Sequence, residues 1–272
     1  LTGLLIHRSN RTDLALGGWG VTTERQVTCR PDSEDRREPI CRQSSPGAPT
    51  MAIWGDSHAA HLFPGIADVD AKRTWLLRAD NSCPPVRGTN VGLGRTDCEG
   101  RSENALGDLL ERPALRTVVL SFHSTYLRKT PFGSPLSPGF LESADADGLL
   151  VGLENAVSAL ENQGKQVIVF LDVPELPFLP RDCLRLSKLG GENDRCVLRT
   201  DSARAKQASY RDLIDRLVKD HPRVRRFDSF DVLCPAETCR WRDGERLLYR
   251  DSNHLSLAGS TLLAEELVKW AG

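Results

Sequence analysis

The stretch that most constrains the fold is Met51-Ala-Ile-Trp-Gly-Asp-Ser-His58. An apolar run leads into Gly55-Asp56-Ser57, and a helical pattern follows from His58. That order reads as a buried strand delivering a serine to a tight turn at the start of a helix. A hydroxyl placed there stands at the end of a sheet, near the positive end of a helix dipole.

The rest of the chain repeats this unit. Residues 50–54, 74–78, 117–122, 166–171 and 224–227 read as strands. The third is apolar on both faces, as a parallel sheet requires. Residues 59–69, 102–111, 145–162, 201–220 and 256–270 read as helices. Pro64 and Gly65 are expected to bend the first helix. Ser102 and Ser256 are candidate N-caps, and the last helix carries apolar residues at 257, 258, 262, 263, 267 and 270. Strands separated by helices imply right-handed crossovers. The expected architecture is therefore α/β: a three-layer α/β/α sandwich around a mostly parallel five-stranded sheet. In such sheets, ligands bind beyond the carboxyl ends of the strands. Ser57 and residues 121–123 fall at two of those ends. Residues 1–48 are polar with little periodicity, and read as an irregular extension packed on a domain spanning 49–272. Long loops at 81–100, 124–144 and 173–200 are expected to wall the pocket.

Composition narrows the function classes. The chain has 272 residues, 36 basic and 37 acidic, for a net charge of −1, so electrostatic wrapping of nucleic acid is excluded as a theme. No apolar run reaches the ~18 residues of a membrane span. The opening Leu1-Thr-Gly-Leu-Leu-Ile6 lacks the basic flank of a signal peptide and follows no methionine. It reads as the start of a fragment, following a membrane segment or linker of a longer polypeptide. The eight cysteines form local pairs: Cys29 with Cys41, Cys83 with Cys98, Cys183 with Cys196, and Cys234 with Cys239. Each pair falls within one loop between core elements, so nearest neighbours are expected to bridge, which points to an oxidising compartment. No Cys-x-x-Cys pair occurs, and a metal site is not expected.

A serine hydroxyl is a poor nucleophile unless a base takes its proton. Near the other end of the chain, Asp251-Ser-Asn-His254 supplies a base and a carboxylate to orient it. His254 can accept the Ser57 proton, while Asp251 accepts from the other ring nitrogen and steadies the imidazolium that forms. Each part alone is common: a turn serine, a turn aspartate, a surface histidine. Their joint placement, after the first strand and before the last helix, points to a catalytic triad.

Trp54-Gly-Asp-Ser-His-Ala59 and Asp251-Ser-Asn-His-Leu-Ser256 resemble the first and last blocks of the SGNH/GDSL hydrolases, a flavodoxin-like fold. With Cys83-Pro-Pro85 and the following Cys98, the chain over residues 29–271 looks like the SGNH domains of bacterial acyltransferase-3 proteins. That resemblance implies a periplasmic domain following a membrane-embedded acyltransferase in the same polypeptide. It implies acetyl transfer to an envelope glycan acceptor such as lipopolysaccharide O-antigen. No cofactor would be bound by this domain, and the acyl group would come ultimately from acetyl-CoA through the membrane partner. It makes Ser57 the nucleophile, His254 the base and Asp251 its orienter. The same residues would serve a carbohydrate acetyl esterase, and a non-catalytic glycan-binding module could keep the fold.

Family members generally build the oxyanion hole from the nucleophile's N–H, a glycine after the second strand and an asparagine after the third. Here those positions hold Asp80-Asn81-Ser82-Cys83 and Leu120-Ser-Phe-His-Ser124. The candidate donors become the backbone N–H groups of Ser57 and Ser82, with the His123 side chain. His58 and His61 are expected to be structural, and Asp56 to brace the turn. Asp172 has two readings, a ligand contact or a cap. Trp241 and Tyr249 also have two: sugar stacking or core packing.

Overall fold

Alternate residues of the central strands face opposite layers, and that alternation decides the architecture. The computed structural model describes residues 27–29, 39–93, 95–127, 133–134, 137–138, 146–188 and 194–272. Five parallel strands form the body of the sheet: β3 Met51–Gly55, β4 Trp75–Ala79, β5 Thr117–Ser121, β6 Gln166–Leu171 and β7 Arg225–Asp228. They are the five strands expected, each within a residue or two of its expected bounds. Two antiparallel strands, β1 Val27–Thr28 and β2 Ile40–Gln43, extend the β4 edge. The full order is β1-β2-β4-β3-β5-β6-β7. Both added strands lie in the stretch expected to be irregular; residues 1–26 and 30–38 of that stretch lie outside the described residues.

On one face, Ala52, Trp54, Val118, Leu120, Val167 and Val169 pack against helices α2 Cys98–Leu110, α3 Ala146–Asn162 and α6 Ala208–Asp220. On the other, Met51, Ile53, Val119, Ile168 and Phe170 pack against α1 Ser57–Val69, α7 Ser229–Leu233 and α8 Leu257–Ala271. Two further helices, α4 Pro180–Lys188 and α5 Thr200–Lys206, lie between β6 and α6. This is the expected three-layer sandwich, with the parallel order of a flavodoxin-like sheet. Among the described residues, no helix is long and apolar enough to cross a membrane.

The differences from expectation have local causes. α2 starts at Cys98 rather than Ser102, because the Cys83–Cys98 bridge ties that turn to the β4 loop. Ser102 is no cap; its hydroxyl donates to the Pro84 carbonyl. The single helix expected over 201–220 breaks into α5 and α6 at Gln207. The Gln207 amide donates to the carbonyls of Asp172 and Val173, so a tertiary contact sets the break. All four expected disulfides are present, and no described cysteine is free.

α1 and α8 cross closely, and the crossing determines where the ends of the chain's chemistry meet. A Cβ on Gly65 would lie 2.3 Å from the backbone of Ser260, so only glycine allows this approach. Pro64 withdraws one helical donor, and Ser260 mends the surrounding backbone. Its hydroxyl accepts from the Gly65 N–H and donates to the Leu62 carbonyl, each at 2.9 Å. Ser260→Ala strands a buried N–H, and we expect it to cost about 1–3 kcal/mol in urea unfolding. An unchanged midpoint would show that the hydroxyl bridge contributes nothing.

Candidate active site

The carboxyl ends of β3, β4, β5 and β6 converge on one rim of the sheet. Gly55 ends β3 pressed against β5: a Cβ there would sit 1.7 Å from the Ser121 carbonyl. The chain then turns at Asp56, whose side chain caps α1 by accepting from the His58 N–H at 2.7 Å. Asp56, not Ser57, is thus the N-cap. Ser57 becomes the first helical residue, with its hydroxyl free for other work and its N–H ahead of any intrahelical acceptor.

The other half of the site is a short loop clamped at both ends. Tyr249 and Leu255 form an antiparallel bridge, and the Ser256 side chain accepts from the Gly259 N–H to start α8, as expected. The Arg250 N–H donates to the His254 carbonyl, and the Leu176 N–H to that of Ser252. Inside this clamp Asp251 Oδ1 accepts from the backbone N–H groups of Asn253 and His254, at 3.0 and 2.8 Å.

These two halves bring the three expected side chains into one line. His254 Nε2 lies 3.1 Å from Ser57 Oγ, and His254 Nδ1 lies 2.9 Å from Asp251 Oδ2. A carboxylate can only accept, so Nδ1 carries the proton and Nε2 presents its lone pair to the hydroxyl. Burial lowers the pKa of His254 from its ordinary value, opposed by its hydrogen bond to Asp251 and reinforced by His58. Burial alone would raise Asp251. Its bonds from the His254 ring and two backbone N–H groups instead hold it well below the usual carboxylate range. The pair is therefore a neutral base beside a fixed anion, poised to take a proton from an attacking alcohol.

The candidate oxyanion donors sit on the same rim. Ser82, in the loop after β4, has φ +66° and is alone among described non-glycine residues in the left-handed region. A non-glycine residue held there is a constrained stretch of backbone. Two anchors hold its loop: the Cys83–Cys98 bridge, and Asp80, which accepts from Arg95 and Arg101 at 3.0 Å each. His123 follows β5, and its N–H donates to Asp56 Oδ2.

Three features were not legible as partners in the sequence. Tyr126 donates its hydroxyl to Asp56 Oδ2 at 3.0 Å. Asp172, at the end of β6, is buried and does more than cap a turn: it holds His58 at 2.6 Å. His61 accepts from the Leu255 N–H through Nδ1 at 3.3 Å, tying α1 to the Asp251–His254 loop. Tyr249 is wholly buried and takes the core-packing reading, while Trp241 is half-buried against Phe178. Of the expected pocket walls, 94, 128–132, 135–136, 139–144 and 189–193 lie outside the described residues.

The histidines give a direct test of these assignments. A nitrogen that accepts from Leu255 carries no proton, so His61 is neutral with its proton on Nε2. Burial first, then the neighbouring His58, His254 and Arg250, also lowers its pKa well below the ordinary value. In ring ¹⁵N NMR we expect His61 to stay in that tautomer through mildly acidic pH, and His254 to half-protonate below the ordinary pH of about 6.5. A proton on His61 Nδ1 at neutral pH would contradict the arrangement.

A family model described as "SGNH domain (fused to AT3 domains)" matches residues 28–269. Among solved structures, the fold is similar to the periplasmic domain of a lipopolysaccharide acetyltransferase from Salmonella ser. Paratyphi A. That match has 17% identity and TM-score 0.63, covering 83% of this chain and 84% of that one. An acetylxylan esterase from Geobacillus stearothermophilus matches at 13% identity and TM-score 0.46, covering 83% and 95%. The catalytic domain of a Streptococcus pneumoniae peptidoglycan O-acetyltransferase matches at 11% identity and TM-score 0.34, covering 82% and 92%. No curated protein sequence matches the chain.

Proposed function

The chain belongs to the family of SGNH domains that occur fused to AT3 domains, and from that premise we propose that it moves an acetyl group through Ser57 onto a hydroxyl of a bacterial envelope glycan. The observation that carries this reading is the unbroken line Ser57 Oγ, His254 Nε2, His254 Nδ1, Asp251 Oδ2, with links of 3.1 and 2.9 Å. The acceptor class is a surface polysaccharide such as lipopolysaccharide O-antigen. The site would face the periplasm, in keeping with the four disulfides. An acyltransferase-3 domain in the membrane would pass the acetyl group outward from acetyl-CoA, and this domain itself would hold no cofactor.

The chemistry follows from the line of hydrogen bonds. Ser57 Oγ bonds to the acetyl carbonyl carbon as its proton passes to His254 Nε2. The tetrahedral intermediate places a negative oxygen where the Ser57 and Ser82 N–H groups would donate, with the His123 ring as a third candidate. Ser82 takes the left-handed conformation that glycine adopts freely, which supports its standing in for the family's glycine. Collapse breaks the bond to the donor's leaving group, which takes the proton from His254. A sugar hydroxyl then gives its proton to His254 and attacks the acetyl-serine. Ser57 leaves as an alcohol, reprotonated by the same imidazole, and the sugar keeps the ester.

Water can attack the same acetyl-serine, so the site alone does not separate transferase from esterase. The separation is made by the acceptor. With a small acetyl ester as donor, added glycan is expected to yield acetylated sugar and to lower free acetate per donor consumed. Ser57→Ala should cut both by about 10³-fold or more. Its stability should change by less than about 1 kcal/mol, since Asp56 rather than Ser57 caps the helix. Acetate release unmoved by every glycan, with no acetylated sugar, would leave an esterase. Full activity in Ser57→Ala would leave a binding module with adventitious hydrolysis elsewhere.

A further inference from the structure

Behind the triad lies a second histidine–aspartate pair. His58 Nδ1 lies 2.6 Å from Asp172 Oδ1, and the two side chains are only 1% and 2% exposed. Three donors meet the Asp172 carboxylate: the His58 ring and Val173 N–H at Oδ1, the Ser124 N–H at Oδ2. A buried carboxylate so satisfied stays ionised, and an ionised partner at this distance favours a charged imidazole. The His58 ring stacks on His123, with centroids 4.2 Å apart and planes 16° apart, and its centroid lies 5.0 Å from that of His254. Its Nε2 is buried with no hydrogen-bond partner among the described residues. With its side chain 1% exposed, His58 is shielded from a bound substrate, so any influence on the reaction passes through its neighbours.

We propose that His58, held as an imidazolium by Asp172, is a positioning residue for the base: its fixed positive charge, one ring away, keeps His254 unprotonated in mildly acidic surroundings. This rests on the reading of His254 as the base. The groups facing His58 are Asp56 from the turn, His61 from its own helix, and His123 after β5. Asp172 faces it after β6, and Asp251 and His254 from the loop before α8. Burial lowers the pKa of His58, but the charge and hydrogen bond of Asp172, with the charges of Asp56 and Asp251, outweigh it and hold it raised. Arg250 adds to the positive side at His254. His61 is neutral, and so adds no charge. The fixed charge acts in both halves of the cycle. It keeps the lone pair of Nε2 available for Ser57, and it makes the His254 imidazolium a stronger acid toward the leaving group.

His58→Asn tests this directly, because the asparagine amide can still donate to Asp172 while the positive charge is gone. The His254 ring should then half-protonate at higher pH, by about half a unit to two and a half units. That is the range for unit charges about 5 Å apart in dielectrics between water and a protein surface. The acidic limb of kcat/KM should move upward with it, with thermal unfolding little changed. Asp172→Asn deprives His58 of its counter-charge and should shift His254 in the same direction by less. Rescue of the original midpoint by His58→Lys, which restores a cation, would add support. An unmoved His254 midpoint in folded His58→Asn would overturn the proposal even if kcat fell. The ring titration is read without turnover, so it can fail while Ser57 keeps its role. Conversely, loss of the Ser57 role would show in the Ser57→Ala assay and not in this titration.

Discussion

One carboxylate, that of Asp56, holds the rim together. Oδ1 starts α1 by accepting from the His58 N–H, and Oδ2 accepts from the His123 N–H and the Tyr126 hydroxyl. The end of β3, the start of α1 and the turn after β5 therefore share one buried anion. Burial raises its pKa, while His58 and the backbone donors act to lower it. Ser57 is placed by this arrangement rather than by contacts of its own. Its neighbour has done the capping, so its hydroxyl is left to meet His254.

The second requirement is that two distant pieces of chain meet with little slack. α1 and α8 approach backbone to backbone at Gly65 and Ser260, and Gly259 lies against the Leu248 carbonyl at the start of α8. The Asp251–His254 loop hangs between those contacts and a bond from Leu176. Flexibility at either place would be felt as misalignment of His254, and a shift of about 1 Å at a reacting centre is costly.

How much of this was legible in the sequence follows from what kind of contact made each feature. Four of the five parallel strands, β3 to β6, are buried almost throughout, and that environment is written in their own mostly apolar residues; β7, Arg225-Arg-Phe-Asp228, buries only Phe227 fully. Nor is β2 so marked: Ile40-Cys-Arg-Gln43 is half polar, and only pairing with β4 makes it a strand. The Gln207 break between α5 and α6 lacks any Gly or Pro because its cause is a carbonyl on another element. Ser57, Asp251 and His254 could be read from local motifs, since a nucleophile turn and an Asp-x-x-His loop each carry their own spacing. The His58–Asp172 pair could not, because Asp172 looks like any residue that ends a buried strand, and its partner lies on a helix after a different one. The disulfides were readable because each joins cysteines that are neighbours in sequence, although Cys41 lies in β2, Cys98 at the start of α2 and Cys183 in α4 rather than in loops.

In the proposed reaction Ser57 carries the acyl group. Brief incubation with an activated acetyl ester, acid quenching and peptide mass spectrometry tests it most directly. The account predicts an acetyl ester on the peptide containing Ser57, absent in Ser57→Ala and accumulating in a variant whose base is weakened, such as Asp251→Asn. Turnover by the intact protein with no adduct there under any quench, or with the adduct on another side chain, would contradict it.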